Sequence, residues 1–212
     1  MKTAPFVDGR RLGVAWIGTR RQDKDDGPFQ FGGNAVFREL VQHADGSLGA
    51  RFPDEMIPTG ELLPGLHLSA LGAGAMVERC RIHIAARQGL GVAACSGVLL
   101  NSRLQVRIYP QPGSAGFGLV LRAGDRFDSG YDLHFSPYDR VAGLKDQRIS
   151  GVDGLDRPFA LDIVLKQDII DVCIDERRTL IDRCPERHGD RVLFYGQDSD
   201  VTFEEVEIAR LS

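Results

Sequence analysis

Long apolar runs, an excess of one charge and a leader segment are all missing from this sequence. No stretch approaches the ~18 consecutive apolar residues that a membrane-spanning helix needs, and residues 1–11 lack the apolar run of a signal peptide. The 212 residues carry a net charge of −4 with the signs interspersed, which gives no reason to expect nucleic acid or an anionic membrane as a partner. We therefore expect a cytoplasmic protein that binds neither.

Metal-binding patterns are lacking as well. The four cysteines form no CxxC pair, and none has a histidine at zinc-ligand spacing; they are Cys80, Cys95, Cys173 and Cys184. The five histidines are scattered along the chain. We expect reduced, mostly buried thiols, no metal site and no cofactor, although the spacing of the cysteines leaves a disulfide open.

Turn-forming residues are abundant and arrive at short intervals, with 25 glycines and 10 prolines. Between them, apolar residues alternate with polar ones over five to seven positions, as at Leu104, Val106 and Ile108. Many short strands at this spacing, without a convincing helix, predict an all-β fold. We expect a two-sheet antiparallel β-sandwich of the concanavalin-like jelly-roll type, preceded by a β-hairpin.

The composition changes near position 58. Residues 1–58 contain the one tryptophan, Trp16, and a proline-rich stretch runs from about residue 51 to 65. We divide the chain into a β-hairpin segment at 1–58 and a β-sandwich domain at 59–212. Two or three strands cannot bury the apolar side chains of residues 1–58 by themselves. These side chains therefore pack on the sandwich, or they contact a partner or a second copy of the chain.

Two segments leave their structure open. In residues 34–43, apolar side chains fit one face of a helix about as well as they fit a strand. Farther along, Asp171, Cys173 and Asp175 share one face of a predicted strand. That face is either a solvated sheet surface or a polar cleft.

Several segments resemble glycoside hydrolase family 32, the β-fructofuranosidases, invertases, inulinases and levanases. Residues 15–18 (AWIG) are similar to a "GWMG"-like strand at the end of the family's catalytic propeller, and residues 38–40 match the end of its "PREL" segment. Phe31 and Phe37 replace an expected tryptophan and proline. Residues 161–180 and 201–208 resemble strands of the family's C-terminal β-sandwich. The resemblance implies a remnant of the last propeller blade followed by that sandwich.

The family's catalytic motifs do not occur here. Its three carboxylates lie in "NDPN", "RDP" and "EC" motifs; in this chain Arg157 is followed by proline, and Glu78 is separated from Cys80 by Arg79. Retaining glycoside cleavage requires two carboxyl groups about 5–5.5 Å apart. We identify no catalytic residue, and whether the chain is an enzyme stays open.

Glycan binding is the sharper functional hypothesis. A carbohydrate site needs bidentate donors, carboxylates for hydroxyl pairs and an aromatic ring for stacking. Arg122, Asp132 and His134 each alternate with neighbouring core residues, and Tyr138 follows the same strand. We predict these four as carbohydrate-binding residues; alternatively, they belong to the ordinary solvated face of a sandwich sheet.

Three functions follow from these observations. The first is a non-catalytic accessory region of a fructan-type glycoside hydrolase, which binds a fructan or another glycan or supports a catalytic propeller domain. The second is a levanase-like or β-fructofuranosidase-like glycosidase, or its detached subunit. The third is a structural module that oligomerises through residues 1–58.

Overall fold

Strands make up nearly all regular structure in a computed structural model that describes residues 1–124, 129–186 and 189–211. Within these ranges there are seventeen strands, no α-helix, and two short 3₁₀ turns at Arg21–Asp23 and Asp54–Met56. None of the described helical segments is long and apolar enough to cross a membrane. The predicted all-β class is confirmed.

The first sheet contains four antiparallel strands, where the sequence predicted a hairpin. Its strands, in the spatial order β1-β2-β3-β4, are β1 (Lys2–Pro5), β2 (Arg11–Arg20), β3 (Phe29–Gln42) and β4 (Leu48–Arg51). The ambiguous residues 34–43 are extended, because β3 pairs with β2 on one side and β4 on the other. The predicted boundary after residue 58 falls between β4 and the next strand.

The remaining thirteen strands form one folded-over antiparallel sheet. They are β5 (Gly60–Leu62), β6 (His67–Ala70), β7 (Ala75–Glu78), β8 (Arg81–Ser96), β9 (Ser102–Pro110), β10 (Gly116–Ala123), β11 (Tyr131–Ser136), β12 (Val141–Leu144), β13 (Gln147–Ser150), β14 (Phe159–Lys166), β15 (Ile169–Ile174), β16 (Arg178–Arg183) and β17 (Arg191–Leu211).

Two long strands connect the layers of the predicted sandwich. β8 and β17 pair along most of their length and shift register between Gln197 and Ser199. On one side of this shift they join β6 and β10–β13, which we call the front layer; on the other side they join β7, β9 and β14–β16, the back layer. The two-layer antiparallel sandwich is therefore confirmed, with two strands shared by both layers.

The core lies between the two layers and follows the alternation of the sequence. Phe117 and Phe135 of the front layer contact Phe159 of the back layer, with ring centroids 5.3–6.3 Å apart. All four cysteines are free thiols, so the disulfide that the spacing left open is not formed. Burial raises the pKa of Cys95 and of Cys173 to about 11, which keeps both as unreactive thiols.

Buried arginines attach the first sheet to the outer surface of the back layer. The Arg183 guanidinium, on β16, donates to the Gly18 carbonyl at 2.9 Å, to Asn34 Oδ1 at 2.6 Å and to Asp168 Oδ2 at 2.5 Å. From the first sheet, Arg38 pairs with Asp171. The first sheet thus covers much of this face at Asp171, whereas Asp175 on the same face is exposed and lines a cleft.

The loop between β2 and β3 reaches the front layer. Asp25 Oδ2 accepts a hydrogen bond from the Tyr131 hydroxyl at 2.8 Å, and the Asp25 carbonyl accepts one from Lys145 Nζ at 2.8 Å. At the base of the same loop, Arg20 donates to the fully buried Asp182 at 3.2 Å. The first sheet therefore contacts both layers of the sandwich through hydrogen bonds and ion pairs.

Replacing Arg183 should loosen the first sheet. Arg183→Met leaves Asp168, Asn34 and the Gly18 carbonyl without this donor, and removing one partner of a buried ion pair costs about 3–5 kcal/mol. We expect a loss of that order in urea unfolding, together with earlier proteolytic cleavage within residues 1–58. The matched control, Arg87→Met, removes a mostly exposed arginine and should change little. Equal losses in the two variants would contradict the assignment.

Asp171 should make stability depend on pH. Burial raises its pKa to about 6, although the Arg38 guanidinium opposes the shift. Because this folded-state pKa exceeds the unfolded value, the contribution of Asp171 is fully present below about pH 4 and is lost as the pH rises through 6. Relative to Asp171→Asn, the wild type should lose on the order of 3 kcal/mol across that window. A difference in unfolding free energy that stays constant with pH would refute this.

Candidate functional site

The outward surface of the front layer, which we call the front face, carries a polar cluster. Asp132 and His134 lie on β11 with their side chains outward, while Leu133 between them is fully buried. Their side chains are 52% and 35% exposed, and His134 Nδ1 lies 3.5 Å from Asp132 Oδ2. The alternation in the sequence placed both residues on the correct face.

Tyr195 completes this cluster, although the sequence analysis did not select it. It lies on β17 next to Gly118 of β10, and its hydroxyl donates to Asp132 Oδ1 at 2.8 Å. Burial and the neighbouring Asp132 carboxylate raise the pKa of Tyr195, so the phenol stays protonated and donates. The available signal was the alternation of Tyr195 with the core residue Phe194, which places the tyrosine outward.

Two glycines leave room for this cluster. Register aligns Tyr195, Gly118, His134 and Gly143 in one row across four strands. A Cβ added at Gly118 would lie 2.9 Å from the Tyr195 hydroxyl, and one added at Gly143 would lie 2.1 Å from His134 Cε1. Each glycine is therefore covered by the polar side chain of its neighbour, which a larger residue would displace.

A groove of about 320 Å³ opens beside Asp132 on the front face. Leu90 and Val120 supply apolar walls, and Gln197 and Ser129 add polar groups. Beneath it, Val120, Leu193 and Tyr195 belong to a small apolar cluster that is separate from the main core. The Tyr195 ring is only 9% exposed, so the groove offers hydrogen-bonding groups more than a stacking surface.

Arg122 does not share this surface. β10 shifts register between Val120 and Ala123, and Arg122 has a φ of 52° at that bulge. Its side chain is 3% exposed, and the guanidinium donates to the carbonyls of Leu100 and Cys184 at 3.4 Å. Strict alternation would place the Arg122 side chain on the outward side of β10. The extra residue of the bulge shifts the alternation, so the side chain lies on the inward side instead.

Tyr138 lies in the turn between β11 and β12 and is 92% exposed. The structure therefore brings together two of the four predicted residues, Asp132 and His134, with Arg122 buried behind them and Tyr138 beyond the strand end. Their role in carbohydrate binding stays a prediction.

A larger cleft of about 500 Å³ lies between the first sheet and the back layer. Two of its arginines serve the contact between the two sheets: Arg177 pairs with Asp45 at 3.3 Å, and Arg178 donates to the Leu48 carbonyl at 2.9 Å. In the loop before β14, Asp153 pairs with Arg140 and Arg157 with Asp156. Within the described ranges, no three His, Cys, Asp or Glu side chains converge as metal ligands. The front face is the candidate site because a partly exposed carboxylate there borders a groove whose other described residues are uncharged.

No protein-family model matches the sequence, and no curated protein matches it significantly. Solved structures do. A carbohydrate-binding module, CBM66 from Bacillus subtilis, is 11% identical with a TM-score of 0.59, over 69% of this chain and 97% of the module.

Two hydrolases match nearly the whole chain. Sucrose-6-phosphate hydrolase from Lactobacillus gasseri is 13% identical with a TM-score of 0.58, over 99% of this chain and 40% of the enzyme. β-Fructofuranosidase from Aspergillus kawachii is 10% identical with a TM-score of 0.55, over 94% of this chain and 36% of the enzyme. This chain thus spans about two fifths of each hydrolase. At these identities the likeness shows a shared fold, which confirms the resemblance at that level.

Alanine substitutions at Gly118 and Gly143 should have different effects on stability and on the His134 ring. In Gly143→Ala the new methyl meets the partly exposed His134 ring, which can swing outward, whereas in Gly118→Ala it meets the Leu133 carbonyl at 2.1 Å. We expect Gly118→Ala to lose about 1–3 kcal/mol of unfolding free energy. Gly143→Ala should lose less but shift the His134 imidazole NMR signals. An unshifted imidazole, or a greater loss for Gly143→Ala, would show that the ring does not cover Gly143.

Proposed function

We propose that this chain is a non-catalytic, glycan-binding accessory region of a fructan-type glycoside hydrolase, and that its ligand binds on the front face. The observation that carries the proposal is Asp132 beside the groove. One of its oxygens accepts from Tyr195, while the other is 3.5 Å from His134 and half of the side chain is exposed. A carboxylate held in this way accepts hydrogen bonds from the hydroxyls of a sugar.

The comparisons support this proposal at the level of architecture. The module that matches over most of its own length is named for carbohydrate binding, and the two hydrolases act, by their names, on sucrose 6-phosphate and on β-fructofuranosides. A fructan is therefore the first ligand to test. Fold alone does not determine function, so the cluster around Asp132 is the feature that supports glycan binding.

The groove favours binding over catalysis. Retaining glycosidases require a second carboxyl group about 5–5.5 Å from the first. Among the described residues that line the groove, Asp132 is the one carboxylate. A levanase-like or β-fructofuranosidase-like hydrolase is the alternative function, and a turnover assay distinguishes the two.

Calorimetric titration with sucrose, inulin and levan fragments tests the proposal. Asp132→Asn keeps the shape of the side chain and removes its charge, and a hydrogen bond to a charged group contributes about 1.5–3 kcal/mol, so affinity should fall about tenfold or more. The control Asp156→Asn changes a carboxylate that is 74% exposed in the loop before β14, and its affinity should match the wild type.

Three results would contradict the proposal. Equal affinity in Asp132→Asn and the wild type would remove the site. Absence of binding to the fructans and to a glycan array would remove the ligand class. Release of reducing sugar in proportion to the amount of protein would replace binding by catalysis.

A further inference from the structure

The first sheet has an unusual distribution of polarity between its two faces. Its inward face meets the back layer largely through Arg38, Asn34 and the Gly18 carbonyl. Both hydrophobic clusters of the molecule are built from residues beyond position 62. Ile17 is buried, whereas six large apolar side chains of the first sheet are exposed: Val14, Trp16, Phe29, Phe31, Phe37 and Leu48. A sheet that faces water is expected to show the opposite arrangement.

Four residues form the exposed surface, which we call the aromatic patch: Val14, Trp16, Phe31 and Phe37. Val14 is paired with Phe37, so the two share a face. The Trp16 and Phe31 rings are nearly parallel, at 25°, with centroids 6.4 Å apart. Trp16 is 57% exposed and Phe31 is 96% exposed. The patch is therefore continuous across the two central strands.

The area of the patch is close to what a specific contact requires. Because a large aromatic side chain presents 150–250 Å², these exposures correspond to roughly 400–500 Å² of apolar surface. This area falls within the range of the largest apolar patch on a typical monomer, and such patches are often functional. Two such patches in contact would bury on the order of 1,000 Å² in total, near the lower limit for specific protein interfaces.

Neither edge of the first sheet is well suited to pairing with a strand of a partner, which leaves its face for contact. β4 is joined to the back layer, since the Ala50 amide donates to the Arg177 carbonyl at 3.1 Å. At the other edge, β1 is paired with β2 alone among the described strands. β1 begins with Lys2 and ends with Pro5, and lysine and proline both hinder the addition of a further strand. A partner would therefore pack on the patch.

We propose that the aromatic patch is the interface of a homodimer, in which two copies of the chain pack their first sheets face to face about a two-fold axis. The four side chains of the patch are uncharged, and Lys2, which is paired with Val14, is the charged neighbour that register places beside them on the same face. One lysine at the margin offers little charge pattern that would select an unlike partner. A two-fold contact needs only self-complementarity, and an apolar patch of this size meets that requirement. The small area predicts a dimer that dissociates in the micromolar range.

Trp16 is the one tryptophan of the chain, so its fluorescence reports directly on the patch. As the full chain is concentrated from about 1 to about 100 µM, a range set by the expected affinity, sedimentation should change from monomer to dimer. The Trp16 emission should shift to the blue and become less accessible to acrylamide over the same range. Coincidence of the two transitions would locate the contact at Trp16.

Phe31→Gln keeps the tryptophan and removes its exposed neighbour. Since aromatic anchors dominate such interfaces, association should weaken about tenfold or more, and the Trp16 emission should stay red throughout. Phe31 is almost fully exposed, so the fold tolerates the change. Met76→Gln changes another exposed apolar side chain, which lies on β7 outside the first sheet; it is the control and should dimerise like the wild type.

Two results would overturn the proposal. The first is a monomer at the highest concentration with an unchanged Trp16 emission, which would leave a catalytic propeller as the alternative occupant of the patch. The second is a dimer that persists at full strength in Phe31→Gln, which would place the interface elsewhere.

Discussion

Hydrogen bonds and ion pairs buried between the first sheet and the back layer hold these two parts of the molecule in one arrangement. A buried guanidinium is costly unless its donors are satisfied, and Arg183 meets this condition by donating to three acceptors on three different elements. Those acceptors come from β2, β3 and the turn before β15. The orientation of the first sheet is consequently specified by hydrogen-bond geometry more than by the shape of an apolar interface.

This orientation also separates two surfaces of the molecule. The first sheet lies on the back layer, and the polar cluster of Asp132 lies on the outside of the front layer. Two adjacent residues of β11 link the first sheet to the front face. Tyr131 points inward and donates to Asp25 of the β2–β3 loop, whereas Asp132 points outward and accepts from Tyr195. The β2–β3 loop thus contacts the inward side of β11, and the outward side, which carries Asp132, stays open.

Alternation along the strands predicted the fold class and the placement of Asp132 and His134, because a period of two directly specifies which side chains share a face. It failed for Arg122, where one extra residue in a bulge reverses that relation. The docking of Asp171 against Arg38 joins positions 133 apart in the sequence, and no local pattern contains such a contact. The apolar surface of the first sheet was visible in the sequence, but the sequence did not indicate that its polar face would turn inward.

The strand β17 has a consequence for how the protein is made. It pairs with β10 in one layer, with β9 in the other, and with β8 about a hundred residues earlier in the chain. Neither layer is continuous until residues 191–211 have left the ribosome. Until then, β8, β9 and β10 of the nascent polypeptide lack β17, the strand that lies between them in the sheet. Contacts so distant in sequence slow folding and prolong the exposure of unpaired strands. During synthesis, chaperones that shield such strands would act mainly on the intermediate in which β17 has not yet emerged.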